Sequence, residues 1–131
     1  MAKAIHTMIR VFDLDRSISF YKQALKLEVA DRLDFDGFSL VYLRNDENDF
    51  ELELTHNHDQ SDRYTHGTGY GHLAVCIEDI RSTHSHLLAN SLKPADIKEF
   101  HREGNLMARF FFLVDPDGYK IEFIERHGRF K

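Results

Sequence analysis

Two histidines and two glutamates recur in matching settings along this chain. His6 opens "HTMIRVFDLDRS" and Glu53 lies in "FELELTHN"; His72 opens "HLAVCIEDIRST" and Glu122 lies in "GYKIEFIE". The two His-to-Glu spans are nearly equal in length. One imidazole and one carboxylate per copy of a duplicated segment form the donor set of a pseudo-symmetric metal site. Nitrogen and oxygen donors carrying two negative charges suit a divalent transition ion. Spacing alone leaves a second reading open. The chain holds 9 histidines, so one at a strand start is unremarkable, and Glu53 stands among Glu47, Glu51 and other acids of a surface stretch. His56, His58, His66, His84, His86, His101 and His127 read as surface or loop histidines. The run "HNHDQSDRYTH" lacks the regular spacing of a zinc motif.

The elements that must position these groups follow from periodicity. Each copy starts with a short β-like run, Thr7 to Phe12 or Leu73 to Ile77, followed by Asp13 or Asp79 placed to cap a helix. Leu14, Ile18, Tyr21 and Leu25 form one apolar stripe on the first helix; Ile80, Leu87 and Leu88, with His84 on the same face, do so on the second. Extended runs follow at Leu27 to Leu33, Phe38 to Leu43 and Phe50 to Thr55, joined by turn-forming "DFDG" and "RNDEND". In the second copy, residues 91–106 are polar and predict a loop with one short edge strand. Strands at Ala108 to Val114 and Tyr119 to Glu125 then flank Asp115-Pro116-Asp117-Gly118, a type I turn sequence. The pattern is an α+β chain of two tandem βαβββ modules with curled sheets, one domain over 1–131. Module one spans about 4–56, a polar linker about 57–70, and module two about 71–126; the terminal "RHGRFK" is expected to fray. Glu53 alternates against Leu52 and Leu54, and Glu122 sits mid-strand among large apolar residues, where a carboxylate is costly unless paired or ligated.

Bulk properties narrow the function classes. At 131 residues the chain can bury one real core. A net charge of −5 with no Lys/Arg cluster argues against nucleic acid or an anionic membrane as partner. No apolar run reaches signal-peptide or membrane-span length, and the lone Cys76 cannot form an internal disulfide; together these predict a cytoplasmic protein. Cys76 alternates with apolar neighbours in "LAVCI" and reads as a small buried core residue.

The stretches "HTMIRVFDLDRSISFYKQAL", "LELTHN", "GTGYGHLAV" and "LVDPDGYKIEFIE", in this order and spacing, resemble glyoxalase I (lactoylglutathione lyase) of the vicinal oxygen chelate superfamily. The resemblance covers nearly the whole chain, from His6 to about Glu125. It implies the glyoxalase/bleomycin-resistance/dioxygenase-like fold and homodimers with shared active sites, in which His6 and Glu53 of one subunit and His72 and Glu122 of the other hold the metal. A short chain of this kind resembles the members that favour nickel or cobalt, with zinc possible. Arg10 matches the arginine that meets the glutamyl carboxylate of glutathione, Asn57 the asparagine that holds the same end, and Met107 a methionine near the tripeptide. An Arg fork and an Asn amide suit a carboxylate chemically; without the resemblance, Arg10 reads as a surface cation. Two departures stand out. Thr68 occupies a position where some relatives carry arginine, and "FHREGNLMAR" replaces a glycine-rich, lysine-bearing loop, leaving His101 or Arg102 as the candidate cation for the glycine end of the thiol.

The implied reaction isomerises the methylglyoxal–glutathione hemithioacetal to S-lactoylglutathione, a methylglyoxal detoxification. Its difficult step removes a proton from a carbon next to a carbonyl. A divalent ion would act there as Lewis acid, with Glu122 as the base that moves the proton and Glu53 its pseudo-symmetric counterpart. Other readings of the same fold are an epimerase or antibiotic thiol transferase, an extradiol dioxygenase, or a non-catalytic drug-binding protein.

Overall fold

The computed structural model describes all of residues 1–131 and divides into two units, Met1–Thr65 and His66–Lys131. The first contains β1 (His6–Arg10), α1 (Leu14–Leu25), β2 (Glu28–Phe35), β3 (Phe38–Arg44) and β4 (Glu51–Asn57). Its sheet runs β1-β4-β3-β2, with β1 parallel to β4 and the other pairs antiparallel. The second contains β5 (His72–Ile77), α2 (Ile80–Ala89), β6 (Lys98–Arg102), β7 (Asn105–Val114) and β8 (Lys120–Glu125). Its order, β5-β8-β7-β6, repeats the first, again with one parallel pair, β5 with β8. The fold is therefore α+β, with the βαβββ order occurring twice.

Capping explains where the helices begin. The Asp13 carboxylate accepts from the Arg16 N–H at 3.1 Å, and Asp79 accepts from Ser82 N–H at 3.0 Å. Both Asp residues are extended, with nearly identical dihedrals. α1 stops at Lys26, whose left-handed φ of 58° lets its N–H bond back to Lys22 and Tyr21. The turns joining the second and third strands of each unit use Gly37 (φ 90°) and Gly104 (φ 80°), where a side chain would be strained. Asp115, 4% exposed, fixes the last turn by accepting from the N–H groups of Asp117 and Tyr119 at 2.9 and 2.8 Å.

Four expectations are corrected. The buried face of α1 is Leu14, Ser17, Phe20, Tyr21 and Ala24, while Ile18 and Leu25 are only half-buried. The small Ser17 and Ala24 and the large Phe20 are all buried, so the stripe is rotated from the one drawn through aliphatic residues alone. On α2, Leu87 is buried but Leu88 is 54% exposed, one residue step having carried it around the helix. Cys76 is exposed, because β5 buries Leu73, Val75 and Ile77 in part and turns His72, Ala74 and Cys76 the other way. Its thiol meets the Phe130 carbonyl at 3.6 Å. The C-terminal segment is held: His127 and Phe130 form a bridge, and His127 Nε2 lies 2.9 Å from the Leu106 carbonyl. No helix is long and apolar enough to cross a membrane.

Candidate active site

In the first unit, β1 and β4 carry the predicted pair. His6 lies opposite Glu51 in the parallel register, and Glu53 opposite Met8. The imidazole reaches diagonally, placing His6 Nε2 3.4 Å from Glu53 Oε2. The second unit repeats this offset: His72 pairs with Lys120 and Glu122 with Ala74, and His72 Nε2 is 2.8 Å from Glu122 Oε2. On the opposite side of β4, Leu52 and Leu54 face the core, which sends Glu53 to the other face although it is itself 8% exposed. Parallel pairing of first and last strands is thus what brings each histidine to its glutamate.

These pairs fit a divalent ion. Two donors each about 2.1 Å from one cation sit roughly 3.0 Å apart at an octahedral edge and roughly 3.4 Å apart at a tetrahedral one. The separations of 3.4 and 2.8 Å lie close to that range, and the imidazole nitrogens and carboxylate oxygens are the expected donor types. Each pair offers two donors, and no group of three or more His, Cys, Asp or Glu side chains is placed to hold a metal ion. Each unit alone brings together one imidazole and one carboxylate.

The third strand of each unit contributes the residue opposite the carboxylate. Tyr42 pairs with Glu53 and Phe112 with Glu122. The Tyr42 hydroxyl donates to Glu53 Oε1 at 2.8 Å, and its ring meets His6 edge-on at 5.8 Å. Phe112 meets His72 edge-on at 5.2 Å without a polar atom to offer. The Glu53 hydrogen bond, followed by burial, raises the Tyr42 phenol above the ordinary tyrosine range. Tyr42 was not among the residues singled out from sequence; its alternation with buried Val41 and Leu43 places it on the Glu53 face and was the available signal.

Arg10 and Asn57 lie on the same strand faces as His6 and Glu53, toward the far ends of β1 and β4. Arg10 is exposed, and the Asn57 amide donates to the Tyr64 hydroxyl at 3.4 Å. Met107 is not brought to the His72–Glu122 pair: it is the extra residue of a β-bulge between Phe100↔Ala108 and His101↔Leu106, at the other end of β7 from Phe112. His101 and Arg102 are exposed on β6, with His101 Nε2 3.6 Å from Glu99.

A cavity of about 430 Å³ lies elsewhere in the first unit, on the helix side of the sheet, lined in part by Arg32, Ser39, His56 and His58. Several of its polar groups are engaged in hydrogen bonds. The Ser39 hydroxyl donates to Asp34 at 2.5 Å and lies 2.8 Å from His58 Nε2. Asp34, held below the usual carboxylate range by Ser39 and then Arg32, contacts the serine rather than the histidine, the reverse of a nucleophilic triad.

Residues 3–123 match the model of the Glyoxalase/Bleomycin resistance protein/Dioxygenase superfamily. A lactoylglutathione lyase of Haemophilus influenzae is 39% identical over 126 residues, covering 92% of this chain and 90% of that protein. One from Neisseria meningitidis serogroup A is 36% identical over 128 residues, covering 95% and 91%. Among solved structures, the trypanothione-dependent glyoxalase I of Leishmania major superposes with a TM-score of 0.75 at 35% identity, covering 95% of this chain and 87% of that one. With duplicated His–Glu pairs set on a repeated βαβββ frame, this chain belongs to the glyoxalase/bleomycin resistance protein/dioxygenase superfamily and, within it, to the lactoylglutathione lyases.

Proposed function

We propose that the chain isomerises the hemithioacetal of methylglyoxal and glutathione to S-lactoylglutathione, using His6, Glu53, His72 and Glu122 as ligands of a divalent metal. The observation that carries this is the repeated diagonal His–Glu pair, at 3.4 and 2.8 Å in the two units, in a chain whose curated relatives are lactoylglutathione lyases. When bound, the ion supplies Lewis-acid stabilisation of negative charge developing on the substrate oxygens. Glu122 takes the proton from the carbon bearing sulfur and hydroxyl and returns it to the neighbouring carbonyl carbon. The hydroxyl proton moves to the other oxygen, so atoms and oxidation level balance. Glu53 is its pseudo-symmetric counterpart. Arg10 and Asn57 hold the glutamyl carboxylate; Met107 stays a candidate contact of the tripeptide, and His101 or Arg102 the cation at its glycine end. Nickel or cobalt is the favoured ion, with zinc as the alternative.

The half-sites pair across a homodimer of single-domain chains in the cytoplasm, each site taking His6 and Glu53 from one subunit and His72 and Glu122 from the other. Each module, about 4–56 and 71–126, contributes one half. The similarity to a trypanothione-dependent enzyme makes the thiol a point to measure, so turnover is assayed with glutathione and with trypanothione in parallel. The decisive experiment mixes His6→Ala chains with Glu122→Ala chains. In a hybrid dimer both lesions fall in one site and the other is whole, so re-equilibrated mixtures should regain up to about a quarter of wild-type activity. No recovery, with hybrids shown to form, would place each site within one chain.

A further inference from the structure

The two carboxylates are held differently, and the difference traces to one hydroxyl. Glu53 has both oxygens engaged: Oε1 accepts from Tyr42 at 2.8 Å while Oε2 faces His6 at 3.4 Å. Glu122 faces His72 through Oε2 at 2.8 Å, and at the register position of Tyr42 stands Phe112. The Glu53 side chain is also the less exposed, 11% against 17%. A hydrogen bond to an ionised carboxylate is of the strong, charge-assisted kind, and a partner outside the ligand set fixes how a ligand is aimed. A carboxylate that must leave its donor position to carry a proton needs the opposite treatment. We infer that Tyr42 is a positioning residue that ties Glu53 into a fixed ligand orientation, and that Phe112, lacking the hydroxyl, leaves Glu122 the movable carboxylate.

This deepens the proposed lyase reading and rests on it for the identity of the moving proton. The tie itself is independent of turnover and can be read without substrate. The full-length protein, stripped of metal and titrated with cobalt(II), gives a dissociation constant by chelator competition and a visible absorption spectrum sensitive to ligand geometry. Tyr42→Phe keeps the ring and removes the tie; it should weaken cobalt(II) binding roughly tenfold and shift the absorption band. Phe112→Tyr adds the missing hydroxyl. It should lower kcat for the hemithioacetal while leaving KM nearly unchanged and cobalt(II) affinity equal or tighter. A purely structural tyrosine would lower the melting temperature of Tyr42→Phe without moving affinity or spectrum.

Tyr42→Phe binding cobalt(II) with wild-type affinity and spectrum would overturn the inference. Should that variant fail to fold, an unchanged kcat in Phe112→Tyr would do so. Wild-type protein that leaves the hemithioacetal untouched would sink the lyase reading instead, and the cobalt(II) titration would still decide what Tyr42 does.

Discussion

The first and second units put the same pair, histidine and glutamate, on the same strands with the same diagonal offset, yet surround them differently. Tyr42 in one is Phe112 in the other. Arg10, at the fifth residue of β1, corresponds to Cys76 at the fifth residue of β5. The two units keep the His–Glu pair and differ in residues beside it. In the first unit the carboxylate is tied by the Tyr42 hydroxyl, and a cation, Arg10, stands on the same face of β1 as His6. The second kept a carboxylate with one oxygen free, beside an aromatic wall.

The sharpest way to break this contrast is to neutralise each glutamate in turn. Glu122→Gln should lower kcat by roughly 10²–10⁴, the usual worth of a positioned base. Glu53→Gln should act first on metal affinity and recover much of its kcat at saturating metal. Equal kcat losses under saturating metal would erase the functional distinction between the units. Next in size, Arg10→Ala should raise KM for the hemithioacetal about tenfold, the loss expected for a charge-assisted hydrogen bond remote from the chemistry. Asn57→Ala should raise it less, and Cys76→Ala should leave KM where it was. Steady-state kinetics over a range of thiol concentrations separates the three. The smallest effect tests what the units share: Asp13→Ala and Asp79→Ala each remove a helix cap of the same geometry and should each cost about 1 kcal/mol in urea unfolding. A marked inequality there would mean that the two helices are not equivalent in energy as they are in geometry.

Much of this arrangement was legible in the residues themselves. Alternation in "ELELTHN" and "KIEFIE" put the glutamates on their faces, Asp before an apolar period marked both helix starts, and "DPDG" marked the last turn. Misreadings came where a short-range pattern competes with packing. Cys76 looks like core by composition, but the period of two puts it with His72, away from Leu73 and Val75. The α1 stripe looks aliphatic, but the buried face takes in Ser17, Phe20 and Ala24 and leaves Ile18 half-buried. Tyr42 escaped notice because a tyrosine between Val41 and Leu43 reads as an ordinary strand residue until its register partner is known, and register is a long-range property. Met107 came from the family resemblance, and the bulge at its position on β7 is a feature that no short-range pattern announces.

In each unit the first strand is the neighbour of the last, in parallel, and the pairing spans nearly the whole unit. Closing so long a stretch of chain costs entropy before any contact repays it, and pairings far apart in sequence form late. His6 therefore waits on the ribosome, and again in every refolding event, until β4 has been made and laid beside it; His72 waits likewise for β8. The meeting of imidazole and carboxylate is complete in each half only once its first and last strands have paired. In a refolding experiment helical signal should precede metal uptake, and a chain cut short of β8 should keep the His6–Glu53 pair while His72 has no carboxylate to meet.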